Sequence, residues 1–456
     1  MLQQFINRKE ELKILVERFE GKKAEFLIIY GRRRVGKTDL IAHSIKNYPN
    51  IYFLAEERPD AENIKEVQGL MGDFLKDEEF KMIKFSDWVE LFKSFSLKNN
   101  QRCIIAIDEF PYLVKQNPAV PSKFQKIWDL YLKDSKIALV LIGSSISMME
   151  KLLGSESPLH GRRTGQLEIK PIPLPEIGKF LPGYLPEDIL LSYGCVDGIP
   201  LYLKQFNSAK TPFENIENLF VKRDAILYNE AEVLLKQEFR ETANYFSILK
   251  AISLGNTKQG EIISCTEIEK SIISKYLKNL ESVRIIKREY PLTDRKEKRK
   301  NVRFAFTDNY FRFWFRFIYP NKSIIEKGES KIVLGLIERD YRSYLGHIFE
   351  GVAEDMLWRI KPFMFTKAGR WWHKDKEIDL VSINEETGEI GFFECKWKDL
   401  SEKDARTILY ELKEKSVFVD WNNETRKEYF GIFAKKIENK SKLRKESFLA
   451  FDLEDI

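Results

Sequence analysis

The sequence predicts a multidomain α/β protein whose N-terminal part is a doubly wound parallel sheet. Up to about residue 170, short apolar runs alternate with amphipathic stretches, which is the pattern of parallel strands covered by helices on both faces. A glycine-rich pattern typical of phosphate-binding loops lies between the first apolar run and the first helical stretch. A chain of 456 residues is long enough for about three domains, each with its own core.

The predicted strands of this sheet are short and strongly apolar. They are residues 26–30, 51–54, 103–107, 138–142 and 167–169. Helices are predicted between them at residues 39–47, 60–74, 87–98 and 122–133. Sheets of this type bind ligands at the carboxyl ends of their strands, so we expect the functional side chains at that edge.

The phosphate-binding pattern spans residues 31–38 and meets every requirement of G-x-x-x-x-G-K-[ST], as in a P-loop NTPase. The glycines let the backbone N–H groups point at phosphate oxygens, Lys37 is expected to reach the β- and γ-phosphates, and Thr38 to ligate Mg²⁺. The alternative is a chance glycine-rich turn before a helix. No guanine-reading Asn-Lys-x-Asp pattern is present, which favours ATP. The expected nucleotide contacts are Gly31, Arg32, Arg33, Arg34, Val35, Gly36, Lys37, Thr38 and Asp39.

The strand at 103–107 leads into a pair of carboxylates, Asp108 and Glu109. In a P-loop fold, we expect Asp108 to hold Mg²⁺ through water and Glu109 to polarise the attacking water. The other interpretation is a buried strand that ends in an acidic turn. Because a P-loop precedes it, the pair is predicted to complete an ATP-hydrolysing site.

Two further residues are weaker candidates for the same site. Ser144 follows the strand at 138–142 and could contact the γ-phosphate, although a serine here could equally cap a helix. Arg162 could neutralise negative charge in the transition state, or it could be a solvated surface residue.

Several segments resemble the archaeal-type ATPases of the AAA-related group of signal-transduction ATPases with numerous domains. They are FINRKEEL at residues 5–12, the arginine-containing P-loop, and the strand that ends in Asp108 and Glu109. GCVDGIPLY at residues 194–202 is similar to that group's Gly-x-Pro signature in a helical lid. The resemblance implies that Arg8 and Pro200 help to frame the nucleotide. Without it, Pro200 would be interpreted as a proline that begins a helix.

Residues 241–310 have the pattern of a winged helix-turn-helix domain. Three short helical stretches precede two strand-like runs, and Lys275 and Lys278 are predicted on a polar helix face. The tip of the predicted hairpin, residues 295–303, contains six basic residues and one acidic residue. We expect contact with DNA phosphates, with a solvated flexible loop or protein–protein packing as the alternatives.

The most informative C-terminal residues are Asp379, Glu394 and Lys396. They lie on two strand-like runs joined by a turn, and strand alternation lets them converge at one end of a hairpin. Two carboxylates can hold Mg²⁺, while the lysine positions or helps to activate a water for attack on phosphorus. Glu350, on a preceding predicted helix, is a further candidate acid. The alternative is an ordinary half-exposed hairpin.

This arrangement resembles the restriction-endonuclease-like fold, whose signature is an acid followed by Glu-x-Lys, although Ile378 stands where the signature has proline. The aromatic segment FRFWFRFIYPN at residues 311–321 is similar to the segment that opens such a domain in fusions with these ATPases. The resemblance implies a P-loop ATPase core at 1–170 and a helical lid at 171–240. A winged helix-turn-helix would follow at 241–310 and a nuclease-like α/β domain at 311–456.

Composition sets the remaining expectations. The net charge of +6 is small for this length, so nucleic-acid binding must be argued from local clusters. The cysteines form no C-x-x-C pair, which argues against a zinc site and a disulfide framework. No signal peptide or long apolar stretch is visible, so we expect a cytoplasmic protein without a membrane partner.

The predicted function is an ATP-binding and hydrolysing switch coupled to DNA binding and Mg²⁺-dependent phosphodiester cleavage. ATP would close the lid and reposition the domains that follow it. One alternative is a non-cutting regulatory protein whose C-terminal domain only binds DNA or a protein partner. Another is a ring-forming AAA machine, against which the lack of a clear trans-acting arginine motif argues. A homo-oligomer is compatible with each function.

Overall fold

The chain folds into two compact units. The structure, a computed structural model, describes residue 6, residues 8–294 and residues 301–455. The first unit comprises Met1–Ile172 and Ile199–Leu201, and the second comprises Pro173–Gly198 and Tyr202–Ile456. None of the helices in the described ranges has the length and apolar character that crossing a bilayer requires.

A five-stranded parallel sheet forms the centre of the first unit. Its strands are β1 (Glu25–Tyr30), β2 (Asn50–Leu54), β3 (Cys103–Asp108), β4 (Ile137–Gly143) and β5 (Gly165–Glu168). Their order is β2-β3-β4-β1-β5, and each neighbouring pair is parallel. The predicted parallel sheet is confirmed, and β4 lies between the strand before the P-loop and the strand that ends in Asp108.

Helices alternate with these strands, as the apolar pattern predicts. They are α1 (Lys9–Glu20), α2 (Lys37–Ile45), α3 (Asp60–Leu75), α4 (Glu78–Met82), α5 (Trp88–Lys98), α6 (Phe110–Gln116), α7 (Val120–Ile127), which continues as a π-helical turn (Trp128–Leu132), and α8 (Ile146–Leu153). On one side of the sheet, the Trp88 ring lies 5.8 Å from Phe124 and 6.5 Å from Phe53. These aromatic contacts fasten α5 and α7 to β2.

The second unit begins with short helices. They are α9 (Leu174–Ile177), α10 (Pro186–Val196), α11 (Pro200–Leu203), whose first residues belong to the first unit, α12 (Pro212–Ile216), which continues as a π-helical turn (Glu217–Val221), and α13 (Glu230–Glu238). The helical character predicted for this stretch is present.

Three helices and a strand pair follow. The helices are α14 (Ala243–Ser253), α15 (Gln259–Thr266) and α16 (Lys270–Ser282), and β6 (Ile286–Glu289) pairs antiparallel with β7 (Arg303–Phe306). Residues 295–300, most of the predicted basic hairpin tip, lie outside the described residues.

The aromatic segment after β7 is buried in a helical layer. It forms α17 (Asn309–Phe313), a π-helical turn (Trp314–Ile318) and a 3₁₀ turn (Tyr319–Asn321), followed by α18 (Lys322–Glu326) and the 31-residue α19 (Ser330–Ile360). Trp314 donates its indole N–H to the Tyr228 carbonyl oxygen at 2.7 Å. The Phe313 ring lies 5.9 Å from Tyr341 on α19. The second contact packs α19 against this segment.

The second unit ends in a separate mixed sheet. Its strands are β8 (Lys367–His373), β9 (Lys376–Asn384), β10 (Glu389–Leu400), β11 (Lys427–Ile437) and β12 (Leu449–Phe451), in the order β12-β11-β10-β9-β8. Strands β8, β9 and β10 pair antiparallel, whereas β10, β11 and β12 pair parallel. Leu409 on α20 (Glu402–Ser416) and Leu443 on α21 (Lys440–Lys445) are buried in a core cluster with residues of β11. The predicted hairpin at 376–397 is therefore two neighbouring strands of a larger sheet.

Candidate functional site

The P-loop runs from the end of β1 to the start of α2 and is tightly held. A Cβ atom added at Gly31 would overlap the Ile169 carbonyl oxygen, and Gly36 has a φ of 87°, which glycine adopts without strain. Lys37 is buried, and its Nζ donates to the carbonyl oxygens of Gly31 at 2.9 Å and Arg32 at 3.0 Å. The ammonium group thus lies within the curve of the loop.

The first residue of the acidic pair lies beside the P-loop helix. Thr38 Oγ1 donates to Asp108 Oδ2 at 2.7 Å, and Tyr52 donates its hydroxyl to the same oxygen at 2.8 Å. Asp108 is 1% exposed. Burial and the Asp108 charge raise the pKa of Tyr52, so its hydroxyl stays a donor. Sequence reasoning placed Thr38 and Asp108 on one Mg²⁺, and the structure brings them into direct contact.

Glu109 and Ser144 also meet at this edge of the sheet. Ser144 donates to Glu109 Oε2 at 2.7 Å, and Arg33 Nη1 lies 4.0 Å from Glu109 Oε1. Glu109 has a φ of 50°, in the left-handed region that non-glycine residues rarely adopt. Ser144 therefore orients the Glu109 carboxylate, and Ser145 occupies the N-cap position of α8.

Two of the residues implied by the resemblance lie against the P-loop. Arg8 is buried, and its Nη2 donates to the Val35 carbonyl oxygen at 2.9 Å. Pro200 begins α11, and its Cγ would lie 3.9 Å from a Cβ atom added at Gly36. Both residues thus border the loop that the sequence assigns to the nucleotide.

The structure gives Arg162 other partners. Its Nε donates to both Asp129 carboxylate oxygens, at 3.0 and 2.9 Å, and its Nη1 donates to the Pro158 carbonyl oxygen at 2.9 Å. These contacts hold the loop that follows α8. A role of Arg162 in ATP hydrolysis stays a prediction.

A second cluster of candidate residues lies on the mixed sheet. Lys396 Nζ donates to Asp379 Oδ2 at 2.9 Å and also to Glu394 Oε2. The Cys395 backbone N–H donates to the same Asp379 oxygen at 2.8 Å. Lys415, on α20, donates to the other Glu394 oxygen at 2.8 Å. The structure therefore brings together the three residues that strand alternation predicted to converge.

The electrostatics of this cluster favour charged side chains on Asp379 and Lys396. Burial raises the pKa of Asp379, but the Lys396 charge and the Cys395 N–H outweigh it and hold that pKa below its usual value. Burial and the charge of Asp379 raise the pKa of Glu394. Burial lowers the pKa of Lys396, but Asp379 and Glu394 more than reverse this and raise it. Lys396 is thus an ammonium ion at neutral pH.

Glu350 belongs to a neighbouring network of charges. Arg370 on β8 pairs with Glu350 at 3.3 Å and also with Glu377, and Arg303 pairs with Glu377 at 3.0 Å. Glu350 and Asp379 line the same cavity. Among the described residues, no group of three or more His, Cys, Asp or Glu side chains is arranged to hold a metal ion. The cluster in this state is held by cations of the protein.

Sequence reasoning missed three residues that contact these sites. Tyr52 was missed because the order β2-β3 is a tertiary property, and Lys415 because it follows Glu394 by 21 residues on another element. Arg370 could have been found, since β8 and β9 form a tight hairpin in which Trp372 pairs with Glu377.

Two family models match the chain. Residues 5–206 match a model described as an ATPase domain predominantly from Archaea, and residues 314–408 match one described as archaeal and bacterial proteins of unknown function. Together with the P-loop geometry, the first match identifies an archaeal-type ATPase domain that binds ATP. The second match names no activity for the C-terminal region.

Two proteins of Methanocaldococcus jannaschii are similar in sequence. The uncharacterized protein MJECL04 is 41% identical over 458 residues, covering 99% of this chain and 99% of that protein. The uncharacterized ATP-binding protein MJ0423 is 54% identical over 43 residues, which are 9% of this chain and 73% of that protein. The first relationship extends through both units.

A solved structure shares the fold. The Walker-type ATPase PABY2304 of Pyrococcus abyssi is 22% identical, with a TM-score of 0.51, over 68% of this chain and 96% of that chain. At this identity the likeness concerns the fold, and it supports the P-loop NTPase architecture of the first unit.

Proposed function

We propose that ATP turnover controls a Mg²⁺-dependent site that cleaves DNA. The chain belongs to the same family as the M. jannaschii protein MJECL04. The ATPase unit would act as the switch, and the mixed sheet would carry the cleavage site. The observation that carries the proposal is the contact of Asp379, Glu394 and Lys396 at the edge of a cavity that Asp379 lines.

The donor set of this cluster fits Mg²⁺, which prefers carboxylate oxygens. Asp379 and Glu394 would hold the ion, with Glu350 as a third candidate on the same cavity. When bound, the ion would stabilise charge on the phosphate and supply an acidified water. Lys396, whose ammonium contacts both carboxylates, would orient the attacking water and stabilise negative charge.

The roles in the ATPase unit follow from contacts that already exist. Lys37 would exchange its two carbonyl partners for the β- and γ-phosphates. Thr38 and Asp108, which are hydrogen bonded to each other, would hold Mg²⁺. Glu109, oriented by Ser144, would position the attacking water.

We assign DNA binding to α14–α16 and the β6–β7 pair. Three helices followed by an antiparallel pair are the arrangement of a winged helix-turn-helix domain. On α16, Lys275 and Lys278 are exposed, whereas Leu277 is buried, so both lysines are available to phosphates. Residues 295–300, which contain five more basic residues, lie outside the described residues.

Cleavage of DNA is the direct test. Purified full-length protein is incubated with single-stranded, duplex, flapped and supercoiled DNA and with RNA, with Mg²⁺ or Mn²⁺, with and without ATP. We expect cleavage of at least one DNA form, inhibition by EDTA and a rate that changes with ATP. If no form is cut under any condition, the nuclease proposal is wrong, and the ATPase assignment stands.

A non-cutting regulatory protein is the second candidate, and one observation favours it. Both carboxylate oxygens of Glu394 are taken, one by Lys396 and the other by Lys415 at 2.8 Å. If these ammonium groups replace the metal permanently, calorimetric titration of Mg²⁺ in the absence of nucleotide will give the same ion binding for the wild type and Asp379→Asn. We expect instead that the substitution weakens ion binding at least about tenfold, because a carboxylate ligand is lost.

A further inference from the structure

A groove in the second unit extends from the candidate cleavage site along one face of α19. Its volume is about 1190 Å³. The β6–β7 pair, α17 with the turn after it, and the edge formed by β8 and β9 contribute the other walls. The α19 residues that line it include Arg339, Asp340, Ser343, His347, Glu350 and Glu354. Their spacing repeats every three or four residues, so they form one stripe along the helix.

Charges are separated along this groove. Arg312, Arg316 and Arg339 line it at the level of the N-terminal half of α19. Asp340 lies among them, and a hydrogen bond from Arg339 and the Arg316 charge contribute to lowering its pKa. The acids Glu350 and Asp379 line the other end, together with the acids Glu289, Glu354, Asp355 and Glu377 and the cations Lys287, Arg303 and Arg370. The groove therefore joins a cationic end to the end that carries the candidate cleavage site.

Three arginines that line the groove each have an Nε–H group without a hydrogen-bond partner among the described residues. Within the described part of the chain, the Nε–H groups of Arg303, Arg312 and Arg370 are buried and have no hydrogen-bond partner. A buried donor without a partner costs free energy unless a ligand satisfies it. Arginine is suited to phosphate because its guanidinium presents several donors in one plane. These Nε–H groups are buried without any ligand present, so a phosphate in the groove would contact the other nitrogens of these guanidinium groups.

The size of the groove distinguishes between nucleic-acid forms. From Arg339 to Asp355, α19 rises about 24 Å, so the groove volume is spread over several helical turns. The major groove of B-form DNA, which is only part of a duplex, is about 12 Å wide and 8.5 Å deep. A single strand is thinner than a duplex and fits a groove of this volume better.

We propose that this groove binds the backbone of single-stranded DNA and leads it to the cleavage site; the inference rests on the proposed function. Arg312, Arg316 and Arg339 contact phosphates ahead of the site, and Arg303 and Arg370, which pair with Glu377 and Glu350, lie next to it. Along α19, Arg339 and Glu350 are about 16 Å apart. Several nucleotides of a single strand span that distance. The substrate is thus a single strand or a single-stranded flap.

The test of this proposal measures DNA binding in the absence of cleavage, with the full-length Asp379→Asn protein. Fluorescence anisotropy reports binding of a labelled 20-nucleotide oligothymidine and of a labelled blunt 20-bp duplex. The test variant adds Arg316→Gln and Arg339→Gln. The matched control adds Lys331→Gln and Arg342→Gln, two exposed α19 residues that do not line the groove. Circular dichroism melting checks that each protein is folded.

We expect the test variant to bind the single strand at least about tenfold more weakly. The slope of log K against the logarithm of the salt concentration should become shallower by about 1.4, because two phosphate contacts are lost. The control should retain the affinity of the Asp379→Asn protein, and duplex affinity should not change in either variant. The inference is overturned if the test variant matches the control, or if duplex binding weakens equally. If this binding pattern appears but the wild type cleaves no DNA, the cleavage proposal is wrong and the proposal that the groove binds single-stranded DNA is retained.

Discussion

Replacing Lys37 with alanine is expected to reduce ATP hydrolysis at least about a hundredfold, because the variant loses the cation that contacts the β- and γ-phosphates. The Lys37 ammonium is buried within the loop and bonded to the carbonyl oxygens of Gly31 and Arg32. Binding of a fluorescent ATP analogue should weaken in parallel. Release of phosphate from ATP is the measurement.

Lys46→Ala is the matched control, since Lys46 is exposed at the opposite end of the same helix. It should hydrolyse ATP at the wild-type rate. Lys37→Ala could also disturb the loop that its ammonium holds together, and Lys37→Met, which retains the length of the side chain, separates that effect from loss of charge. Substantial hydrolysis by both Lys37 variants would contradict the assignment of this loop to catalysis.

The ATPase site could be predicted from the sequence because most of its information is local. The motif at 31–38 is contiguous, and the strands before it and before Asp108 are apolar runs with clear ends. In a parallel sheet those ends meet at one edge, so Thr38 and Asp108 could be assigned to one site. Their hydrogen bond of 2.7 Å agrees with that reasoning.

Contacts that depend on strand order could not be predicted in the same way. Tyr52 reaches Asp108 because β2 pairs with β3, although 56 residues separate them in sequence. Ser144 reaches Glu109 because β4 lies next to β3. Neither pairing leaves a local signal, since each parallel connection passes through helices of variable length.

The C-terminal cluster could be predicted in part from the sequence. Asp379 and Glu394 face each other because β9 and β10 form a hairpin across a short turn, and the period of two places Lys396 on the same face as Glu394. The cations that neutralise this region, Lys415 and Arg370, come from elements outside that hairpin. Asp379, Glu394 and Lys396 were therefore predictable, and their contact with Lys415 was not.

Replacing Asp379 with asparagine is expected to reduce Mg²⁺-dependent DNA cleavage at least about a hundredfold while ATP hydrolysis is unchanged. Asparagine retains the shape of the side chain but removes the charge that binds both the proposed ion and the Lys396 ammonium, which lies 2.9 Å away. Lys396→Ala should cause a loss of similar size, because the cation that would orient the attacking water is absent.

Lys398→Ala is the control for both, since Lys398 lies two residues beyond Lys396 on the same strand and is exposed. Cleavage of a labelled DNA substrate and release of phosphate from ATP are measured on the same preparations, so that loss of folding would appear as loss of both. Loss of cleavage with retained ATP hydrolysis would place the cutting site at this cluster. Equal cleavage by the wild type, Asp379→Asn and Lys398→Ala would mean that any nuclease activity in the sample arises elsewhere.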